Sequence, residues 1–159
     1  MRLLRRRDRS GERGYTITEM VVVCAVLSTL AAVTLPVAKF TTKRVREAEL
    51  RSALRSVRHA IDEYKRYSDA GLIPIELGTE GYPAELEDLI EPIEIVGQID
   101  KQIRFLRRIP VDPMTGEAEW GMRSTSDEPD SSSWGRGNVF DVYSLSGRTG
   151  LGGVPYAEW

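Results

Sequence analysis

From Met20 to Ala38 the chain is almost free of charge, and Val21, Val22, Val23, Val26, Leu27, Leu30, Val33 and Leu35 leave it no polar face. A run of about 20 apolar residues reads as one helix of membrane-spanning length. Beyond Pro36 the chain turns polar, but the helical period holds. Leu50, Leu54, Val57, Ile61 and Tyr64 recur at steps of four, three, four and three. That is a single apolar stripe on an amphipathic helix, turned toward a core. Arg46, Glu47, Glu49, Arg51, Arg55, Arg58, Asp62, Glu63 and Lys65 fall between the stripe positions and read as a solvated face. Asp69, Ala70 and Gly71 close the helix. One helix from Tyr15 to about Tyr67 would measure on the order of 80 Å at 1.5 Å per residue. Its first half would project and its second half would pack on a small body.

The rest of the chain predicts short elements. A short helix starts near Pro83 and turns Leu86, Leu89 and Ile90 inward. Ile95, Ile99, Ile103 and Leu106 favour a second short helix within 95–108. Pro110 and Pro113 force an extended segment, a turn follows at Gly116, and 118–123 reads as a strand. Residues 123–138 are a polar loop rich in Ser, Asp and Gly. Asn138–Leu145 alternates Val139, Asp141 and Tyr143 against Phe140, Val142 and Ser144, the clearest strand pattern in the chain. A glycine-rich tail ends on Trp159.

Charge sharpens this picture. The net charge is −2, yet the first 14 residues carry six Arg against Asp8 and Glu12. The remainder holds 16 basic and 22 acidic side chains. A basic tip, an apolar run and an acidic body form an orientation signal with the tip in the cytoplasm. No basic patch persists past the tip, which argues against nucleic-acid binding. The single cysteine, Cys24, lies in the apolar run and allows no intramolecular disulfide. An ordinary cleaved signal peptide is the competing reading of the run. The run is longer than the roughly 7–15 residues of such segments, and LPVAKFTTKR offers no small-x-small cleavage site.

Three residues in this region carry chemistry. Gly14 has no side chain, so a protease can approach its backbone closely. Glu19 is costly inside a bilayer without a partner. Pro36 removes a backbone donor and crowds the preceding turn, so the helix can bend or loosen there. Catalytic candidates are weak. His59 is the one histidine and has no cysteine near it in sequence. Asp112 and Asp141 could be imagined as a carboxylate pair, but neither has a visible acid or base beside it. Gly-x-Ser-x-Gly and phosphate-loop motifs are absent from the sequence. The chain therefore reads as a non-enzyme, with a membrane-anchored periplasmic enzyme as the reading from another class.

RGYTITEM followed by the apolar run resembles the class III signal of type IV pilins and type II secretion pseudopilins. LRRIPVDPMTGEAEW, FDVYSLSG and the aromatic-ended tail narrow the likeness to the major, G-type pseudopilin. Tyr15 stands where phenylalanine is more usual, and Thr18 where an apolar residue is typical. The resemblance implies an α+β, type IV pilin-like fold: a long N-terminal helix, its first half transmembrane, on a small C-terminal antiparallel sheet. It implies a cleaved basic leader over 1–14, a transmembrane or filament-core helix over 15–38 and a periplasmic domain over 39–159. It further implies a cut by prepilin peptidase between Gly14 and Tyr15 and N-methylation of Tyr15. Glu19 becomes the fifth mature residue and would pair with the N-terminus of a neighbouring subunit during assembly. Pro36 becomes the twenty-second, a helix-loosening position.

The implied function is that of a structural subunit of a type II secretion pseudopilus, driving protein export across the outer membrane. The implied partners are further copies in a helical filament, minor pseudopilins, an inner-membrane assembly platform, prepilin peptidase and the membrane. The implied location is the bacterial inner membrane, single-pass, with the C-terminus in the periplasm. A type IV pilus or competence-type pilin for adhesion, motility or DNA uptake is the alternative. The family also implies calcium in the C-terminal loop. Here Gly147, Arg148 and Thr149 stand where an aspartate is usual, and Glu158 is the sole carboxylate side chain of the tail. The expectation is no metal and no cofactor, with Tyr156 or Trp159 buried to hold the loop instead. Asp127, Glu128 and Asp130 read as a solvated acidic loop.

Overall fold

The computed structural model describes residues 14–98 and 100–159, with residues 33–39 described as helical backbone only. The leader up to Arg13 and the side chain of Pro36 thus lie outside the described residues. Among the described residues the fold is α+β: one long α-helix, two short 3-10 helices and two small antiparallel sheets. The chain divides between Thr41 and Thr42 into two compact units.

The helix α1 runs Ile17–Asp69. In the first unit its apolar side chains are exposed on every side, from Ile17 and Met20 through Val21, Val22, Val26 and Leu27 to Leu30. The expectation of a membrane-spanning first half is corrected here. Among the described residues no helix is long and apolar enough to cross a membrane. The apolar stretch with described side chains runs from Met20 to Ala32. It follows Glu19 directly and contains Ser28 and Thr29, whose hydroxyls donate back to the carbonyls of Cys24 and Val26 at 2.7 Å each. The expected single-pass inner-membrane location, with the C-terminus in the periplasm, is overturned with it.

In the second unit the stripe is buried as its period predicts. Leu50, Leu54, Val57, Ile61 and Tyr64 all lie in the core. They pack with Leu89, Met114, Trp120, Val139, Val142 and Tyr156. Two apparent surface positions are not solvated. Glu47 is 6% exposed, and Arg58 is part-buried against Asp141. Helix α1 stops in a left-handed turn: Gly71 has φ +65°, its N–H donates to the Ser68 carbonyl, and the Leu72 N–H reaches back to the Tyr67 carbonyl. This is the paired-bond C-cap that glycine favours.

The short helix near Pro83 is a 3-10 helix, Leu86–Leu89, with both leucines buried. The Asp88 carboxylate accepts from the Glu85 N–H at 2.9 Å and fixes its start. The helix expected within 95–108 is instead a hairpin. Strand β1, Ile93–Glu94, pairs antiparallel with β2, Gln102–Ile103. Gly97 at φ +80° and Asp100 at φ +60° turn the chain between them, a conformation a helix interior excludes. Ile95 and Ile103 are eight residues apart, a separation that suits period 2 and period 3.6 alike, so their spacing did not discriminate. After β2, the Phe105 and Leu106 N–H groups both donate to the Leu89 carbonyl. Phe105 then packs on Tyr64 and Tyr67, with ring centroids 5.2 and 5.5 Å apart.

Strands β3, Gly121–Arg123, and β4, Asp141–Tyr143, form the second sheet, with Met122 opposite Val142. Both of the pairs that flank it decide something. Gly121 faces Tyr143, whose ring would sit 2.2 Å from any Cβ there, so only glycine fits. Arg123 faces Asp141 and lies over the Tyr143 ring at 4.2 Å. Tyr143 and Val142 are therefore both buried, although they point to opposite faces of β4. The alternation read from the sequence fails at this point because a folded loop covers the second face.

That loop, 124–138, is tied from within. The Asp127 carboxylate accepts from the N–H groups of Ser124 at 2.7 Å and Gly135 at 3.0 Å. Those backbone bonds, Ser124 first, hold its pKa below the usual carboxylate range. Asn138 bonds the Thr125 N–H and the Thr79 carbonyl, joining the loop to the segment before the 3-10 helix.

Asp112 is the most consequential buried carboxylate of this unit. It is fully buried and accepts from the Met114 N–H at 2.7 Å and the Ser144 hydroxyl at 2.5 Å. Asp112→Ala leaves both donors unpaired, which predicts a loss of about 2–4 kcal/mol in urea denaturation. Asp112→Asn keeps one acceptor and loses less. Equal stability of all three proteins would show that the two bonds contribute nothing.

Candidate functional site

Two regions carry the candidate residues. The first is the entry to α1. Gly14, Tyr15 and Thr16 precede the helix, and among the described residues nothing lies within 4 Å of where a Cβ on Gly14 would stand. Tyr15 is 74% exposed. Among the described residues nothing covers the peptide bond between Gly14 and Tyr15, which lies outside regular structure. Thr16 caps the helix, its hydroxyl accepting from the Glu19 N–H at 3.2 Å. Thr-x-x-Glu is a helix-start signature legible in the sequence, and only its Glu was read for function. Glu19 sits in the first turn, where the helix dipole favours a carboxylate. Among the described residues no ion pair reaches it. Tyr15, Ile17, Met20, Val21 and Cys24 line an apolar hollow of about 340 Å³ beside it. The side chain of Pro36 is outside the described residues, so Gly14, Tyr15 and Glu19 are the part of the expected set brought together here.

The second region is the tail. The segment 147–159 lies along the second-unit part of α1, held by bonds spanning more than 100 positions. Lys43 donates to the Thr149 carbonyl at 2.7 Å. The buried Glu47 carboxylate accepts from the Leu151 N–H at 2.7 Å and the Tyr156 hydroxyl at 3.0 Å. Tyr156 is 1% exposed and meets Trp159 edge to face at 5.0 Å. Arg58 donates to both oxygens of Asp141 at 2.6 and 3.2 Å, to the Val142 carbonyl and to the main-chain oxygen of Trp159. Sequence reasoning missed Glu47 and Arg58. For Glu47 a signal existed: stepping back three residues from Leu50 continues the apolar stripe onto it.

The tail does not fit calcium. The Arg148 guanidinium donates to the Met114 carbonyl and to Ser146 Oγ, so a fixed positive charge already uses the loop's oxygens. Glu158 is exposed, and Asp112 is committed to Met114 and Ser144. A divalent ion would meet one guanidinium and too few carboxylates. Among the described residues no group of three or more His, Cys, Asp or Glu could hold a metal. His59 is exposed. Asp112 and Asp141 have separate structural partners and do not form a carboxylate pair.

Compared with models of protein families, with curated proteins and with solved structures, the chain matches none of them.

Two measurements follow from the tail. Burial first, and then the hydrogen bond and charge of Glu47, push the Tyr156 hydroxyl above its usual pKa, outweighing Arg148. Its neutral form is therefore favoured by folding. That contribution is complete below the unfolded pKa of about 10 and is lost as pH rises through the higher folded value. Urea stability should fall above pH ~10, more gently in Tyr156→Phe; Tyr64, raised chiefly by burial, supplies the remainder. An identical alkaline slope in Tyr156→Phe would exclude this account. Separately, the melting temperature should be the same in EDTA and in millimolar calcium, whereas Arg148→Ala should lower it. A rise with calcium would show that Arg148 does not exclude the ion.

Proposed function

We propose that the chain is a pilin-like structural subunit that is cut after Gly14 and polymerises through its N-terminal helix. The observation that carries this reading is the first unit of α1. A helix that is apolar on all sides needs cover. Burying each Val or Leu contributes about 1.5–3 kcal/mol, so close packing against copies of the same helix is strongly favoured. Glu19 supports the same reading from the other direction. In such a bundle a carboxylate in the first turn needs a cation, and cleavage supplies one: the new amine at Tyr15 of a neighbouring copy. The pair would set the axial register between copies. Pro36 would let the packed helix loosen. Tyr15 would be the N-methylated residue.

The finer reading is a major subunit of a type II secretion pseudopilus with a pilin-like fold. It rests on RGYTITEM, IPVDPMTGE and FDVYSLSG in their order along the chain. A growing filament of such subunits would push secreted proteins through an outer-membrane pore. Prepilin peptidase, minor pseudopilins and an assembly platform would be its partners. The lone cysteine excludes an intrachain disulfide, which favours this over a type IV pilus subunit.

The mass of the N-terminal peptide tests the reading. In cells with a prepilin peptidase it should begin at methylated Tyr15, and both Gly14→Ala and loss of the peptidase should abolish that product. Glu19→Ala should still be cut but should lower the pelletable, filamentous fraction at least tenfold. A chain that keeps Met1 in every strain, or is cut beyond Ala38, would sink the proposal.

A further inference from the structure

Arg51, Leu54, Arg55, Arg58, Val154 and Trp159 line a cavity of about 320 Å³ where the tail crosses α1. Its three guanidinium groups are not equivalent. Arg58 is neutralised by Asp141. Arg51 lies over the Trp159 ring, 4.3 Å from its centre. Among the described residues neither Arg51 nor Arg55 makes an ion pair. The cavity therefore offers two uncompensated cations around an apolar floor of Leu54, Val154 and Trp159. An occupant that satisfies it carries a carboxylate next to an aliphatic side chain.

The same unit displays that chemistry elsewhere. Residues 67–100 carry nine Asp or Glu and no Lys or Arg. Residues 43–66 carry eight Lys or Arg against four acids. Within the acidic stretch, Ile75, Glu76 and Leu77 are exposed, and Leu77 completely so. The exposure is built in. Thr79 is buried and donates both its N–H and its hydroxyl to the Glu76 carbonyl, with Gly78 at φ +91° completing a tight turn. Leu77 is thereby held at the corner, with Glu76 beside it. This turn follows the C-terminus of α1, while the cavity sits some 14 residues earlier, about 20 Å along the helix. Knob and cavity are distinct patches of one unit: no residue of the turn lines the cavity, and Leu77 is fully exposed.

We propose that the Ile75–Leu77 turn of one copy docks into the Arg51/Arg55 cavity of a second copy. Leu77 then packs on Val154 and Trp159, and Glu76 pairs with Arg55 and Arg51. Such a contact joins two different patches, so it repeats head to tail and builds an open chain of subunits rather than a closed dimer. It names the globular contact that a filament requires and rests on the reading of this chain as a filament subunit.

The test uses the full chain, processed after Gly14, with Cys24→Ser as background. One preparation carries Leu77→Cys and the other Val154→Cys; they are oxidised separately and as a mixture, and pelleting is followed in parallel. The mixture should give cross-linked dimers at least tenfold above either variant alone. Arg51→Glu with Arg55→Glu should cut pelleting about tenfold, and adding Glu76→Arg should restore most of it. Circular dichroism checks that these exposed substitutions leave the fold intact. Pelleting without a mixed cross-link, or unchanged by charge reversal, overturns the contact and leaves the filament standing, with another occupant for the cavity. Cross-links within the Leu77→Cys sample equal to the mixture overturn it in favour of a two-fold contact. An unmodified chain that never pellets overturns both readings.

Discussion

Ladders of two and three residue pairs do not hold together by themselves in water. Here β1–β2 and β3–β4 are that short, so the globular unit depends on the apolar stripe of α1 as its template. Leu50, Leu54, Val57, Ile61 and Tyr64 present one continuous surface. Everything after residue 70 is shaped to cover it: the 3-10 leucines, the Phe105 strap, Trp120, the inner face of β4 and the tail aromatics. The hydrophobic term is non-directional and roughly proportional to area, which explains how so irregular a set of loops can cover one helix.

Direction comes from a few charged groups that the apolar surface cannot supply. Arg58 ties α1 to β4 and to the tail through Asp141, Val142 and Trp159. Arg123 approaches the same Asp141 at 3.8 Å from β3 and donates to the Ser131 and Ala157 carbonyls. Glu47 does the same for the tail from the other end of the stripe. Arginine suits this role because its fork of donors can serve several acceptors from one position. Only Ser68 among the described buried side chains keeps a polar atom without a hydrogen-bond partner, and Gly81 sits against it.

Legibility in the sequence followed the length of each signal. The stripe over Leu50–Tyr64 recurs at five positions, and so fixed both the helix and its buried face. The turn at Gly116 was readable from proline and glycine, whose backbone preferences are local, and of the strand expected over 118–123 only Gly121–Arg123 forms. The 95–108 hairpin was not, because isoleucines eight apart fit two periods and the deciding turn uses Asp100, an acceptable but uncommon left-handed residue. Glu47 and Arg58 were misread because a charged residue on a helix is usually solvated, and their partners lie more than 80 positions away. Of the expected site, Gly14 and Glu19 stood out through spacing. The capping role of Thr16 was equally visible, since it depends on residues three apart. The membrane reading is corrected in the described part of α1, where the apolar stretch begins only after Glu19 and carries Ser28 and Thr29.

The tail that lies along α1 has a consequence for how the protein is made. Tyr156 reaches Glu47 across 109 positions, and Leu151 reaches it across 104. Such contacts close very long loops, whose entropic cost precedes any gain. The helical stripe leaves the ribosome early, but its cover is complete only once residues 147–159 have emerged. Through that interval the nascent unit exposes an apolar groove, which makes folding slow by topology and renders the emerging chain a natural client for chaperones.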